Sequence, residues 1–366
     1  MSHVVVIGCG IVGASIAYEL SQIPDLRVTV LDQQPPAQGS TGSALGVLMG
    51  VISHKTKGRA WQMREASFKR YETLIPELEE LTGRPILFNR KGILRLCFAG
   101  EDLTKWQQLV EIRQTQGWQL NLLDPDQIQS NYPQINCENV IQAVYSPQDR
   151  QLDPAAFTLA LVEAAKSNGV TFKFGVAVEQ LKTITTSNSQ QICDQLLTTT
   201  GKLSVDWVIV AAGLGTTQLL PRTPQQNPLK VRPVLGQAMQ VQLNQSLGNL
   251  EPVITANDIN IVPLGGGEYW IGATVEFPAD DENIIADQSQ MDRLQEDLIT
   301  ICPALAQAKV LRKWSGLRPR PDGEAAPVIR YLSGFQNILL ATGHYRNGVL
   351  LAPATAQTIR EMILKK

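Results

Sequence analysis

A chain of 366 residues with 43% apolar and 18% charged side chains has the composition of a globular protein, long enough for two domains. Its 32 basic and 34 acidic residues leave a net charge of −2, which excludes the basic field that nucleic acid or an anionic membrane surface requires. No apolar run approaches the roughly 18 residues that would span a bilayer, and an N-terminus interrupted by Gly8, Gly10 and Gly13, without a charged leader, does not read as a secretory signal. Five scattered cysteines lack CxxC spacing and the three histidines lie outside ligand spacing of one another. Reduced thiols, a cytoplasmic location and no metal centre are the expectation.

In chain order, HVVVIG reads as a buried strand and IVGASIAYELSQI carries helical apolar spacing. Pro24 and Asp25 turn the chain into a second strand, LRVTVLD. Residues 33–50 are polar and rich in Gly, Ser and Thr, then apolar. Helices are expected at about 60–81 and 103–116, with short alternating strands such as GILRLCF and NVIQAVYSP after each. Asp153 as N-cap and Pro154 in the first helical position open a helix that stops at Asn168-Gly169. The strands VTFKF and WVIVAAG follow. From 230 to 319 the pattern turns to antiparallel-style strands, including a hairpin, INIVPL-GGG-EYWIGATV. Finally NILLATG feeds the loop GHYRNG and an apolar helix, with Pro353 expected in its first turn or so.

The expected class is α/β, or α+β overall. A discontinuous Rossmann-like FAD-binding domain (1–84, 146–218 and 320–366) is interleaved with an antiparallel-sheet substrate domain (85–145 and 219–319). Consecutive domains would strand NILLATG and the last helix without a sheet.

Gly8, Gly10 and Gly13 form G-x-G-x-x-G between a strand and a helix. The first permits a tight turn, the second lets backbone approach a pyrophosphate, and the third allows close helix–strand packing. Bare amides at the helix start, at Gly10, Ile11 and Val12, attract phosphate. Asp32, followed by Gln33, ends the second strand where ribose hydroxyls would lie, and an acid there disfavours a 2′-phosphate. A nicotinamide enzyme usually completes one nucleotide domain early, whereas here βα material resumes only after about 150. FAD fits that layout better. Ser40, Thr41 and Ser43 offer hydroxyls to phosphates, and small residues follow where a flat ring could lie; an ordinary polar loop is the alternative. Ala211, Ala212 and Gly213 make a strand exit that suits a ligand or simply a tight turn. Gly348 starts a helix whose free amides would stabilise negative charge on a reduced ring, or one that merely docks the chain end.

Taken together, the glycine motif with Asp32, VRPVLGQAMQV, INIVPLGGGEYWIGATV, WSGLRPRPDG and TGHYRNGVLLAP resemble the D-amino-acid oxidase superfamily of FAD enzymes, closest to the glycine oxidase branch. The resemblance implies noncovalent FAD and oxidative deamination of a small amino acid or amine-bearing acid such as glycine, sarcosine or a D-amino acid. Dioxygen would be the acceptor, giving hydrogen peroxide, and glycine as substrate would imply a place in thiamine biosynthesis. It implies Arg318 for the substrate carboxylate and Arg346 at the flavin edge. It implies Val178 at the adenine, Ala44, Leu45, Gly46 and Val47 along the ring, and Gly343, His344, Tyr345, Arg346, Asn347, Gly348, Val349 and Leu350 around it. Two positions depart from the branch: Asn260 where a tyrosine is common, and Val275 where a methionine is common on the pocket wall. Both bear on substrate choice. Hydride transfer from the substrate Cα to the flavin would need no protein base. A sarcosine- or proline-type dehydrogenase passing electrons to a quinone or protein, a flavin-holding scaffold and an NAD enzyme are the alternatives. A homo-oligomer without integral membrane segments is the expected assembly.

Overall fold

The computed structural model describes residues 1–186, 191–220, 229–244, 251–279 and 284–365. The strand Ser2–Ile7 is apolar on both faces because both are covered: Val4 and Val6 enter a core formed with helices, Val5 and Ile7 a core on the opposite side. It lies inside a six-stranded sheet of order Val328–Tyr331, Ile338–Thr342, Trp207–Val210, Ser2–Ile7, Leu26–Asp32, Thr171–Phe174. All neighbours pair in parallel except Val328–Tyr331, which returns antiparallel to Ile338–Thr342. Both ends of the described chain and its middle therefore meet in one sheet, as the placement of NILLATG predicts.

The helices Ile11–Ser21, Gly58–Thr82, Pro154–Ser167 and Gly348–Leu364 cover one face. Asp153 caps the third of these, its carboxylate accepting from the amides of Ala155 and Ala156. Pro353 lies in the second turn of the last helix, not the first. Having no N–H, it leaves the Val349 carbonyl without a helical donor. The buried Tyr71 hydroxyl, from the helix Gly58–Thr82, donates to that carbonyl instead. The other face is covered by an antiparallel meander, Val178–Thr185, Gln191–Thr198 and Gly201–Ser204. Sequence reading misses the meander because register shifts near Val178 and Lys182 break its alternation.

The second sheet has eight strands in the order Lys309–Asp322, Lys230–Gln242, Glu268–Gly272, Ile259–Gly265, Val253–Ala256, Ile93–Phe98, Val140–Ser146, Asn121–Leu123. It is mixed, not wholly antiparallel: Val253–Ala256 runs parallel to Ile93–Phe98. That pair joins two distant chain segments, so no hairpin dictates its sense. Gly265, Gly266 and Gly267 all adopt positive φ at the expected hairpin turn. Helix Gln288–Ile301 seals one face with Met291, Leu294, Leu298 and Ile301. The long strand Lys309–Asp322 brings Pro321 against Gly343 in a loop of the first sheet and lays Arg318 over Gly236 of its neighbouring strand.

Candidate active site

Gly8 follows the first strand with φ +106°, and its amide donates to Leu31 O at 2.8 Å. A side chain there would meet Ala211 O at 2.5 Å, and one at Gly13 would meet Gly8 O at 1.9 Å. Three chain segments thus close on one point where only hydrogen fits, at the carboxyl ends of adjacent parallel strands. No side chain caps the helix that begins at Ile11 from its N-cap position, Gly10. The Ile11 amide donates to Thr41 Oγ1 at 3.0 Å. The Asp32 carboxylate is oriented by the amides of Cys9 (2.6 Å) and Gln34 (2.8 Å).

The loop hydroxyls expected to face phosphates have protein partners. Thr41 holds the helix start, Ser40 Oγ donates to Leu317 O at 2.6 Å, and Ser43 Oγ donates to Gly39 O at 3.1 Å. Trp314 Nε1 donates to Ser43 O at 3.1 Å, and a side chain at Gly316 would strike Ser43. These contacts stitch the 39–43 loop to the edge strand of the second sheet, so the two sheets share one cleft.

At the other end, Gly343 turns the chain with φ +64° against Pro321, and Tyr345 takes φ +54°. That conformation is unusual for a bulky residue and costs on the order of 1–3 kcal/mol unless its surroundings hold it. Asn347 makes no side-chain cap for the helix that starts at Gly348, and Gly348 lines the cleft. His344 is buried and its Nε2 lies 2.9 Å from Thr355 Oγ1. Burial, with Arg59 nearby, lowers its pKa to about 4, so it is neutral at pH 7.

Arg318 crosses the neighbouring strand over Gly236, where an added Cβ would lie 2.3 Å from the guanidinium. Its Nη1 donates to Leu235 O at 3.0 Å, and among the described residues no carboxylate forms an ion pair with it. Burial, and Arg346 beside it, pull its pKa below the ordinary arginine value. Arg346 forms a rim contact with Asp258 at 3.2 Å, exposed enough to contribute little.

These groups line one cavity of about 1070 Å3. It is lined by every sequence-expected residue except Gly13, Leu350 and Val275. Gly13 packs on Gly8, and Leu350 is buried among the helices. Val275 lies half-buried past the end of the strand Glu268–Gly272, and Ala273 forms the wall instead. Asn260 does line the cavity, but its amide is held by the sheet: Nδ2 donates to Gly272 O at 3.1 Å and Oδ1 accepts from Thr255 Oγ1 at 2.9 Å. Sequence reading also misses Gly236, Ala238 and Met49 in the lining. A glycine inside the alternating strand VRPVLGQAMQV is the signal that marks Gly236. No comparable signal marks the other two.

Two helix starts that lack an N-cap side chain, an oriented carboxylate at a strand end and a cavity shared by two sheets are the features of a dinucleotide-cofactor oxidoreductase. The donor set suits FAD: glycines fill the tight points, and open space lies in front of Gly213, where nothing comes within 4 Å of an added Cβ. Residues 3–362 match the family model described as DAO, FAD dependent oxidoreductase, and the chain belongs to that family. It is 32% identical over 370 residues to the bifunctional protein ThiO/ThiG of Synechocystis, covering 99% of this chain but 52% of that protein. The chain thus spans about half the length of its ThiO/ThiG relatives. It is 26% identical to glycine oxidase of Bacillus licheniformis over 98% of this chain and 92% of that protein. The crystal structure of glycine oxidase from Bacillus cereus superposes with a TM-score of 0.87 at 26% identity, covering 100% of this chain and 96% of the other. L-proline dehydrogenase from P. horikoshii, at 21% identity and a TM-score of 0.86, shares the fold. The protein is therefore an FAD-dependent oxidoreductase, similar in sequence and fold to glycine oxidases. Among the described residues no helix is long and apolar enough to cross a membrane.

Proposed function

We propose that this chain oxidises a small amine-bearing carboxylic acid to its imino acid, that Arg318 pairs with the carboxylate, and that dioxygen takes the electrons. The observation that carries the reading is a half-buried guanidinium without a carboxylate partner among the described residues, in the cavity that both helix starts also line. A planar guanidinium orients a carboxylate through two parallel hydrogen bonds and so fixes the direction of the neighbouring Cα–H. FAD, held noncovalently, supplies the two-electron acceptor for that hydrogen.

The segments 1–84, 146–218 and 320–366 would hold the cofactor, with Asp32 at the ribose, Gly10 to Val12 at the diphosphate and Gly343 to Val349 at the ring. The segments 85–145 and 219–319 would hold the substrate. His344 is neutral and occupied by Thr355, so no base is assigned to it. Asn260 and Ala273 shape the pocket without contributing charge. If the amine is glycine, the product suits thiamine biosynthesis, in keeping with the ThiO/ThiG relatives.

The test is anaerobic flavin reduction by glycine, sarcosine, L-proline and D-alanine, with methylamine as the carboxylate-free control. At least one acid should bleach the flavin while methylamine does not. Equal bleaching by methylamine contradicts the role given to Arg318. Reoxidation by dioxygen compared with a quinone then separates an oxidase from a dehydrogenase.

A further inference from the structure

A second cavity, of about 420 Å3, lies beyond Met49, and Met49 lines both it and the cofactor cavity. It is the one residue common to both linings. The backbone beside it is fixed. The amides of Gly50, Val51 and Ile52 donate to the buried Asp149 carboxylate at 2.7, 2.8 and 2.9 Å. The carbonyls of Val51, Ser53 and Lys55 accept from the buried Arg113 guanidinium at 2.7, 2.7 and 3.1 Å. That guanidinium also lies 3.7 Å over the Trp61 ring, and a Cβ at Gly50 would come within 2.0 Å of Phe68. Within this rigid frame the unbranched thioether of Met49 is the part free to change rotamer.

The smaller cavity has an apolar floor, Ile52 and Trp106, with the His54 ring 4.4 Å from that indole. Its charges are matched: Arg95 pairs with Glu101 at 3.1 Å and Lys105 with Asp102 at 3.5 Å. Burial, then Arg95, Lys105 and Arg113, hold His54 below the usual histidine range, so it adds no charge at pH 7. Such a lining suits a neutral amphipathic molecule, since it offers an anion no free cation to offset desolvation. The carboxylate-binding Arg318 lines only the larger cavity.

We propose that the smaller cavity is the port by which a neutral electron acceptor reaches the flavin, and that Met49 is its gate. Two electrons and two protons leave the reduced cofactor, which returns to its oxidised form. Dioxygen becomes hydrogen peroxide, or a quinone becomes its quinol. The inference rests on the family's flavin chemistry and not on which amine is oxidised.

Photoreducing the holoprotein without oxygen or amine, then mixing it with dioxygen or 1,4-benzoquinone, isolates this step. Met49→Phe should slow reoxidation by about tenfold or more, and Met49→Ala should quicken it. Ser53 lines only the smaller cavity. Ser53→Trp should fill that cavity from outside and slow reoxidation, while anaerobic reduction by the working amine stays within about twofold. Quenching of the bound flavin's fluorescence by acrylamide should rise in Met49→Ala and fall in Ser53→Trp. Slowing with both acceptors or with either one supports the port and identifies its traffic. Unchanged reoxidation in both Met49→Phe and Ser53→Trp, with flavin still bound, overturns it. So does an equal fall of both half-reactions in Ser53→Trp. Because photoreduction needs no amine, failure of every acid on the substrate panel would not touch this result.

Discussion

Acid should weaken the native fold through His344. The residue is buried and its ring keeps a pKa of about 4 in the fold against an ordinary 6.5. The folded state therefore binds fewer protons than the unfolded chain between those values. Stability from this group is complete above pH 6.5 and is lost as pH falls towards 4. Each tenfold difference in proton affinity between the two states is worth about 1.36 kcal/mol. The loss is then roughly 2–3 kcal/mol by pH 4.5. The assay is urea unfolding of the holoprotein at fixed excess FAD, at pH 7.5 and pH 4.5, for the parent and His344→Asn. Other groups titrate in both proteins, so the difference between the two pH dependences is the quantity read. The parent should lose roughly 2–3 kcal/mol more than the variant. Parallel losses, within about 0.5 kcal/mol, would refute a neutral buried imidazole.

Tyr71→Phe should cost about 1–3 kcal/mol by leaving the Val349 carbonyl without a donor. Adding Pro353→Ala should recover much of that loss in thermal unfolding, because residue 353 then regains an N–H for the same carbonyl. Thr41→Val removes the hydroxyl that accepts from the Ile11 amide, and should lower stability by about 1 kcal/mol in chemical denaturation. Gly13→Val has no room, its Cβ lying 1.9 Å from Gly8 O, and the purified protein should be colourless or unfolded by flavin absorbance and circular dichroism.

Local chemistry made much of the fold legible. The glycine triplet, the apolar strand before it and Asp32 after it lie within one short stretch, and Asp153-Pro154 sets a helix start by capping alone. The three-glycine hairpin is equally local. What stayed hidden depends on partners distant in sequence. The parallel pair Val253–Ala256 with Ile93–Phe98 is set by tertiary closure. The hydroxyls of Ser40 and Thr41 look available for phosphate until Leu317 and Ile11 are brought beside them. Arg113 and Asp149 sit far from the 50–55 backbone they bind, so neither spacing nor composition marks them. Val275 fell outside the cavity because the strand Glu268–Gly272 ends before it, a boundary that alternation alone does not locate.

The most direct measurement is titration of a small carboxylate ligand into the flavin-loaded protein, read from the flavin spectrum, for the parent and Arg318→Leu. Two charge-assisted hydrogen bonds to a half-buried guanidinium are worth about 3 kcal/mol, so the ligand should bind about 100-fold more weakly to the variant while the flavin stays bound. Equal affinity in the two proteins would contradict the assignment of Arg318 as the carboxylate anchor.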